Sequence, residues 1–131
     1  MKIRKGRTED IKFIKKMDDV SLKASHSLYY FLDNLENILV AVEQGKIIGY
    51  ILSKGEELTN IAVHSDFQRK GIGRRLIKEV MKRSKILISR TRENNKNALS
   101  FLKKLGFKHK RKIKKYYSNG DNAIEMEWRR S

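Results

Sequence analysis

The sequence contains no cysteine, which excludes a disulfide, a thiolate metal site and a cysteine nucleophile. Its three histidines, His26, His64 and His109, are far apart and lack the spacing of metal ligands, so we expect no metal. Long apolar runs are absent as well, because the longest, Ile38 to Val42 and Ile47 to Leu52, have the length of strands. We therefore expect a cytoplasmic protein that is neither secreted nor embedded in a membrane.

Acidic residues are few compared with basic ones. The chain has 15 Asp and Glu against 31 Lys and Arg, which gives a formal net charge of +16. Such a surface attracts nucleic acid in a salt-dependent way and speeds the capture of an anionic cofactor. The alternative is the lysine-rich surface of a protein from a hot habitat, but there acids rise with lysine and asparagine falls, unlike here. The charge therefore indicates an anionic neighbourhood, such as the ribosome or another nucleic-acid assembly.

The stretch from Leu58 to Ser84 predicts a strand, a basic loop with glycines and a helix, in that order. Leu58 to Val63 alternates apolar and polar residues and then becomes wholly apolar, as a strand does when it enters a covered sheet. Gly71 and Gly73 follow inside a run of cations. Apolar residues then recur at helical spacing opposite a row of cations, which predicts an amphipathic helix. These apolar residues are Ile72, Leu76, Ile77, Val80 and Met81.

This unit has the features of a phosphate-binding site. The first turn of a helix leaves backbone N–H groups unpaired and carries about half a positive charge, so anions bind there. Gly71 and Gly73 lack a Cβ, so the backbone can approach a pyrophosphate closely. The spacing excludes a dinucleotide-fold fingerprint, which needs a third glycine, and a P-loop, which needs Lys-Ser or Lys-Thr after the second. A capped helix with a solvated basic face is the alternative.

The segment from Val63 to Gly73 resembles the acetyl-CoA signature of the GNAT N-acetyltransferases, whose core is Gln/Arg-x-x-Gly-x-Gly/Ala after a strand. It departs from that signature at Ser65, where proline is usual. The resemblance implies acetyl-CoA as co-substrate and no metal. It also implies that the strand binds the pantetheine arm through the backbone of Ile61, Ala62 and Val63. The loop would then hold the pyrophosphate through Gln68, Arg69, Lys70, Gly71, Ile72, Gly73 and Arg74.

The whole chain, residues 1–131, predicts a single domain with a mixed α/β fold. The predicted order is strand, helix, helix, three strands, helix, strand, helix and two strands. As in the GNAT fold, we expect a twisted, mostly antiparallel sheet with about four helices on its two faces. Among the connections, we predict a loop over Asp18 to Ser27, a hairpin at Gln44-Gly45 and, after a strand over Phe107 to Tyr117, a hairpin turn at Ser118 to Asp121. The last helix is expected to turn four residues inward: Ala98, Phe101, Leu102 and Leu105.

Two further motifs extend the resemblance over essentially the whole chain. Asn95 to Phe107 is similar to the family's Asn-x-x-Ala…Gly-Phe helix, in which the asparagine contacts the cofactor, so Asn95 is expected to bind it. Lys115 to Met126 is similar to the Tyr-Tyr…Gly-x-x-Ala-x-x-Met ending of protein N-terminal acetyltransferases. That class includes the RimI type, which modifies a ribosomal protein. This ending narrows the acceptor toward a protein N-terminus.

Acetyl transfer needs a neutral amine, a place for the developing oxyanion and a proton for the departing thiolate. Glu57 aligns with the glutamate of histone-type members of the superfamily and is the predicted base, with Glu56 as the alternative after a one-residue register shift. RimI-type enzymes have their glutamate where this chain has Arg90, and their tyrosine acid where it has Leu102. Both catalytic groups of that type are therefore missing.

Tyrosines are the available substitutes. In N-terminal acetyltransferases the residues corresponding to Tyr116 and Tyr117 border the peptide groove, and a phenol there can hold the substrate backbone or pass a proton through water. Adjacent strand residues point to opposite faces, so we expect one of the pair to face the groove. We assign Tyr117 to catalysis and Tyr116 to substrate binding. Tyr30, within the aromatic cluster Leu28 to Leu32, is a further candidate for substrate binding, with core packing as the alternative.

The leading interpretation is an acetyl-CoA-dependent N-acetyltransferase that acts on a protein N-terminal α-amine, as a monomer or homodimer. An α-amine with a pKa near 8 costs about 1.4 kcal/mol to deprotonate at pH 7, against about 4.6 kcal/mol for lysine, so a weak base suffices for it. Two alternatives stay open. One is an enzyme that acetylates lysine side chains or small amines, and the other is a weakly active CoA-binding protein that docks on nucleic acid through its basic surface.

Overall fold

The computed structural model of the protein describes residues 1–21 and 26–131, which form a seven-stranded sheet covered by helices. The strands are β1 (Lys2–Lys5), β2 (Ile38–Glu43), β3 (Lys46–Lys54), β4 (Glu57–Val63), β5 (Ile86–Arg92), β6 (Lys108–Ile113) and β7 (Ala123–Arg129). The helices are α1 (Ile11–Ser21), α2 (Leu28–Asp33), α3 (Ile72–Met81) and α4 (Lys96–Lys104). Neighbouring strands follow the order β1-β2-β3-β4-β5-β7-β6 and are antiparallel except for β4 and β5. The predicted mixed α/β fold is confirmed.

Each face of the sheet has its own hydrophobic core. α1 and α2 cover one face, where Ile14 and Phe31 are fully buried. α3 and α4 cover the other face and bury Leu76, Ile77 and Leu102. Burial of each such side chain contributes roughly 1.5–3 kcal/mol. β4 is the central strand of the seven, so both cores hold it in position.

The predicted loop over Asp18 to Ser27 is wrong at its start, because α1 continues to Ser21. Asp18 is fully buried in the last part of α1, and its carboxylate accepts a hydrogen bond from the backbone N–H of His26 (2.8 Å). This bond gives a polar residue a partner inside the protein, which sequence periodicity alone does not reveal. Residues 22–25 of the predicted loop lie outside the described residues, and His26 and Ser27 belong to neither a helix nor a strand, as predicted.

The predicted strand over Phe107 to Tyr117 is too long, because β6 ends at Ile113. Lys115 has a left-handed φ of 52°, and its N–H is bonded to the side chain of Asn122 (3.0 Å), so the chain turns away from the sheet. Tyr116 and Tyr117 therefore lie in the β6–β7 connection, and the expectation that they alternate along a strand is wrong.

Both predicted hairpins are confirmed. β2 and β3 pair around Gln44 and Gly45, whose φ values of 48° and 77° are those of a tight two-residue turn. β6 and β7 also pair, and the turn between them contains Gly120 with a φ of 92°. Its N–H donates to the carbonyl of Tyr117 (2.9 Å), which closes the turn.

Two kinds of feature are absent from residues 1–21 and 26–131. None of the helices there combines the length and the apolar character that crossing a bilayer requires. No group of three or more His, Asp and Glu side chains in these ranges is arranged to hold a metal ion. Several of the acids there pair with Lys or Arg, and some of these pairs shape the site described next.

Candidate active site

β4 and β5 are joined at one end only. Their register consists of the pair Glu57–Ile88, and the Ile88 N–H donates to the carbonyl of Glu56 (2.8 Å). Both strands run on for several residues without further pairing, so they enclose a gap that we call the β4–β5 gap. Glu57 lies on β4 at the closed end of this gap, whereas Glu56 lies in the exposed turn before it. Of the two predicted bases, the fold therefore favours Glu57.

A β-bulge bends β4 just beyond this junction. Leu58 pairs with Ser53 of β3, but Asn60 pairs with Leu52, so Thr59 is an extra residue without an opposite partner. A bulge bends its strand and increases the local twist. The bulge follows directly after the last β4–β5 pair, so it lies where the gap begins.

The edge of β4 that faces the gap presents backbone groups that are not paired with β5. The His64 N–H donates to the Ile48 carbonyl on β3 (2.8 Å), and the hydrogen-bonding groups of a strand alternate between its two edges. Ala62 therefore points its backbone groups toward β3, while Ile61 and Val63 point theirs into the gap. An extended ligand that carries amides can add to such an edge as an extra strand. The backbones of Ile61 and Val63 therefore face the gap, where the predicted contact with the pantetheine arm would form. The backbone of Ala62 faces β3 instead.

The loop between β4 and α3 presents backbone N–H groups at the start of α3. Arg69 and Gly71 have positive φ values of 64° and 79°, and Gly71 precedes the helix without a side-chain cap. The N–H groups from Ile72 to Arg74 are thus free, at the positive end of the helix dipole. A Cβ on Gly71 would meet no atom within 4 Å, so the approach is open. Since the Ile72 side chain is buried, its contribution here is its backbone.

The polar side chains of this loop have two different roles. Gln68 Nε2 donates to the carbonyl of Val63 (3.1 Å), which ties the loop to the end of β4. Arg69, Lys70 and Arg74 are exposed, and within the described residues no carboxylate lies within 4 Å of their charged groups. Gln68 therefore shapes the loop, and the three cations supply its positive charge.

Apolar groups line the gap on its α3–α4 side. A Cβ on Gly73 would lie 3.4 Å from Phe101 Cζ, 3.8 Å from Ile61 Cδ1 and 3.9 Å from Val63 Cγ2, so these residues meet at one point. The prediction that Phe101 turns into the core is wrong, because it is 36% exposed. Its neighbour Leu102 takes the core position at 5% exposure. Phe101 is therefore a lining residue that helical periodicity assigned to the wrong side.

Asn95 lies at the start of α4, where it caps the helix. Its Oδ1 accepts a hydrogen bond from the Ala98 N–H (3.2 Å). α3 and α4 follow the parallel strands β4 and β5, so both helices begin at the open end of the gap. Asn95 is exposed there, on the same side of the sheet as the loop cations.

Four charged side chains, one on each of four neighbouring strands, form a row at the closed end of the gap. Arg90 on β5 pairs with Glu57 on β4 in a short contact, and its Nε donates to Glu125 Oε1 on β7 (3.1 Å). Arg111 on β6 completes the row, with its Nε donating to Glu125 Oε2 (3.1 Å). We call this row the charge ladder. The signs alternate along it, so each charge has an opposite neighbour on the next strand.

The centre of the charge ladder is held in its ionised form. Glu125 is 4% exposed, and hydrogen bonds from Arg111 and Arg90 outweigh this burial and lower the pKa of its carboxyl. Partial burial works against the charged form of Arg90, but the negative charge of Glu57 and the hydrogen bond to Glu125 raise its pKa overall. Glu125 and Arg90 are therefore both charged at neutral pH.

Tyr30 reaches the same region through a buried polar network. Its hydroxyl donates to Asn60 Oδ1 on β4 (2.8 Å), and its ring stacks on that of His26 with 4.4 Å between centroids. His26 Nδ1 in turn lies 3.1 Å from Asp18 Oδ1. Burial, followed by the charges of Asp18 and Glu57, raises the pKa of the Tyr30 phenol. Tyr30 therefore lies near Glu57, with its hydroxyl already bonded.

Tyr116 and Tyr117 border the charge ladder from the β6–β7 connection. The Tyr117 hydroxyl donates to the backbone carbonyl of Arg90 (3.3 Å), and the Arg92 guanidinium lies 3.9 Å from the centre of its ring. Burial raises the pKa of this phenol although the charge of Arg92 opposes the change, so the hydroxyl is protonated at neutral pH. Tyr116 is 46% exposed, with its ring 5.0 Å from that of Tyr117.

Comparison with known proteins identifies the family. Residues 34–109 match the family model described as the acetyltransferase (GNAT) domain. The chain belongs to the GNAT acetyltransferase family. The matched region contains β4, the glycine loop, α3 and β5, and therefore both strands of the gap.

Relatives of this GNAT protein are similar to it over nearly their whole length. It is 28% identical to an N-alpha-acetyltransferase of Sulfurisphaera tokodaii, covering 95% of this chain and 90% of the relative. It is similar to the crystal structure of Ard1 from Thermoplasma volcanium, with a TM-score of 0.88 and 24% identity over 96% of this chain and 95% of the other. It is also similar to Arabidopsis thaliana NAA60 in complex with acetyl-CoA, with a TM-score of 0.88 and 15% identity over 98% and 99%. These structures share the GNAT fold.

The GNAT fold brings most of the predicted residues to one gap, but sequence reasoning missed the partners of Glu57. Glu125 and Arg111 were not among the predicted site residues, and Arg90 entered only as a replacement for a glutamate. Arg90 and Glu125 are opposite one another in the register of β5 and β7. Opposite charges at the centres of two strands predict an ion pair once the two strands are known to be neighbours. That adjacency is not readable from the sequence, because α4 and β6 separate the two strands along the chain.

Proposed function

We propose that the protein transfers an acetyl group from acetyl-CoA to the α-amine of a protein N-terminus. The observation that carries this proposal is the course of β4. One of its ends leads into an open glycine loop, its edge along the gap has free backbone groups, and Glu57 stands at the other end. A long ligand with a phosphate end, two amides and a reactive end fits this sequence of features.

Acetyl-CoA supplies the thioester, and the chain supplies the means to hold it. We assign the pyrophosphate to the N–H groups of Gly71, Ile72, Gly73 and Arg74, with charge from Arg69 and Lys70. The backbone of Ile61 and Val63 would pair with the amides of the pantetheine arm, in the manner of strand addition. Gln68 holds the loop against Val63, and Asn95 adds a polar group at the start of α4. Phe101 would cover the apolar part of the arm.

Glu57 is the proposed base. Its carboxylate pairs with Arg90 at the closed end of the gap, which fixes its position. A carboxylate is a weak base, and a weak base suits an α-amine, which costs about 1.4 kcal/mol to deprotonate at pH 7. Lysine, at about 4.6 kcal/mol, makes a greater demand. The S. tokodaii relative carries the name N-alpha-acetyltransferase, which supports the same acceptor class.

Tyr117 is the proposed proton donor to the departing thiolate. Its phenol is protonated at neutral pH and bonded to the Arg90 carbonyl, which borders the gap on β5. Tyr116, exposed beside it, and Tyr30, across the charge ladder on the α1–α2 face, are the proposed contacts for the peptide. The peptide would then enter from the face opposite α3 and α4.

The acceptor class is tested with pure protein, acetyl-CoA and three acceptors, by following the release of free thiol. The acceptors are a peptide with a free N-terminus and no lysine, the same peptide with a blocked N-terminus and one lysine, and a small primary amine. We expect turnover with the first to exceed that with the other two. Faster turnover with the lysine peptide or the small amine would replace the proposed acceptor. If CoA binds but none of the three acceptors gives thiol release, the proposal that the protein is an enzyme is wrong.

We also propose that the protein works next to nucleic acid, as its net charge of +16 indicates. A cofactor with a few phosphates does not require so large an excess of cations. A protein N-terminus becomes available during synthesis at the surface of an RNA-rich particle, so an affinity for RNA would bring the enzyme to its substrate.

A further inference from the structure

A second group of exposed cations lies at the far ends of α3 and α4 from the glycine loop. The second half of α3 and the turn after it carry Lys78, Lys82, Arg83 and Lys85, with Glu79 as the one acid in residues 77–85. The second half of α4 and the turn after it add Lys103, Lys104 and Lys108, with no acid in residues 100–108. All seven cations are exposed. We call these seven residues the distal basic surface.

The two helices present these cations on one side of the molecule. α3 and α4 pack on the same face of the sheet, and each returns antiparallel to the strand before it. β4 and β5 are parallel, so the two helices end at the same edge of the sheet. The other face has an excess of negative charge, because the described parts of residues 8–37 hold six acids and three lysines. The charge of the protein is therefore strongly asymmetric.

The cations of the distal basic surface differ in their pairing from the other three cations of β6. On β6, Lys110 pairs with Glu127 (2.5 Å) and Lys112 with Glu93 (2.6 Å), and Arg111 belongs to the charge ladder. Among the described residues, Lys82 is the one member of the distal basic surface with a carboxylate within 4 Å, that of Glu79. Three of the four cations of β6 are thus neutralised, whereas six of the seven on the distal basic surface have no carboxylate within 4 Å among the described residues.

The distal basic surface is also separate from the proposed cofactor loop. α3 has ten residues, so about 15 Å lie between the glycine loop at its start and Arg83 after its end. Cations near a helix C-terminus are stabilised by the helix dipole, but that effect is confined to the last turn. It applies to Lys78 in the last turn of α3, but it does not account for Lys85, which lies beyond the end of that helix, or for Lys108, which lies on β6.

From this arrangement we propose that the distal basic surface docks the enzyme on RNA. Closely spaced exposed cations with a single acid among them match a chain of phosphates. Membrane binding is the less suitable alternative, because a membrane surface helix needs large apolar residues beside its cations. The exposed large apolar residues of α1 and α2, such as Tyr29 and Leu32, lie on the other face. The proposal rests on the proposed function for its choice of RNA, and it leaves the peptide groove free on the opposite face.

The test compares two double variants that remove the same charge. Lys103→Gln with Lys104→Gln removes two unpaired cations from the distal basic surface. Lys110→Gln with Lys112→Gln removes two paired ones from β6. Binding of a fluorescent single-stranded 20-nucleotide RNA is followed by anisotropy between 50 and 200 mM salt. Each lost phosphate contact lowers the slope of log K against log salt by about 0.7, so the first variant should lose about 1.4 and the second much less.

Four outcomes would overturn the proposal. The first is an absence of salt-sensitive RNA binding by the parent, and the second is an equal loss in both variants, which would show a response to net charge alone. The third is stronger binding to phosphatidylserine vesicles than to RNA, and the fourth is an equal affinity for double-stranded DNA. Acetylation of a free peptide is measured in parallel and should be the same in the K103Q/K104Q variant and the parent. If the parent acetylates no acceptor, the proposed function fails while the RNA result stands by itself.

Discussion

The two ends of the β4–β5 gap are built in opposite ways. At the open end, backbone groups are unpaired, Gly71 leaves free space, and the loop cations have no carboxylates near them. At the closed end, every charge of the charge ladder has an opposite charge beside it. The open end is suited to accept a ligand that brings its own negative charge and hydrogen-bonding groups. The closed end is suited to keep a few side chains fixed and ionised while a neutral amine reacts.

The largest effect is expected at the base of the closed end. Glu57→Gln removes the proposed proton acceptor and should lower kcat about a thousandfold. Binding of CoA should stay within twofold of the parent, since the glycine loop is untouched. Glu56→Gln is the matched control, because Glu56 is the adjacent residue and is exposed in the turn. Steady-state kinetics and calorimetry measure both quantities. A loss of kcat in the Glu56 variant as large as in the Glu57 variant would contradict the assignment.

A smaller loss of rate should follow removal of the phenol. Tyr117→Phe deletes the hydroxyl that donates to the Arg90 carbonyl, and kcat should fall about a hundredfold if this hydroxyl is the proton donor. Tyr116→Phe should mainly raise KM for the peptide, because Tyr116 is exposed and is assigned to substrate binding. Peptide kinetics with both variants distinguish the two roles. Equal kcat in the Tyr117 variant and the parent would end the role of this residue in catalysis.

The charge ladder should contribute to stability as well as to chemistry. Glu125→Gln weakens charged hydrogen bonds to Arg111 and Arg90, so we expect a free energy of unfolding lower by about 2–3 kcal/mol at pH 7. Urea denaturation measures this. Glu43→Gln is the control, because Glu43 is partly exposed and pairs with the N-terminal amine at 3.4 Å, a contact worth at most about 1 kcal/mol. A loss from the Glu43 variant equal to that from Glu125 would contradict a special role of the ladder.

The same variant has a defined pH dependence. The pKa of folded Glu125 lies below its ordinary value, so its contribution is complete above that ordinary value and is lost as pH falls through the folded pKa. The stability difference between parent and Glu125→Gln should therefore be constant from pH 7 to about pH 5 and shrink below that. Urea titrations repeated at lower pH follow the change. A difference that grows toward acid would mean that the sign is wrong.

The smallest effect is expected at the open end. Gly71→Ala puts a Cβ on a residue with a φ of 79°, a strain of about 1–2 kcal/mol, and should weaken CoA binding about tenfold by moving the loop backbone. Gly55→Ala carries the same kind of strain at a φ of 60° in the turn before β4, at the opposite end of the gap from the glycine loop. Both variants should lose similar stability, and Gly71→Ala alone should lose affinity for CoA by calorimetry. Equal affinities in the two variants would argue against an anion site at this loop.

The difference between the two ends also explains what the sequence could predict. The open end follows from local features, since a strand, two glycines and a helix are consecutive in the chain and determine the backbone themselves. The charge ladder joins Glu57 to Glu125, residues brought together only by the strand order β4-β5-β7. Tyr117 was assigned to a strand because the left-handed turn at Lys115 has no glycine to signal it. Phe101 was assigned to the core because helical periodicity does not distinguish a core from the wall of a gap.

Thr59 shows that a residue can matter through its presence rather than its chemistry. Its side chain is exposed, so most substitutions there should be tolerated. A deletion is another matter, because it would make Leu58 and Asn60 adjacent, restore a regular ladder with β3 and remove the bulge. Glu57 would stay opposite Lys54, but β4 would lose the local bend that lies where its pairing with β5 ends. The shape of the gap therefore depends on an inserted residue whose amino-acid type matters little.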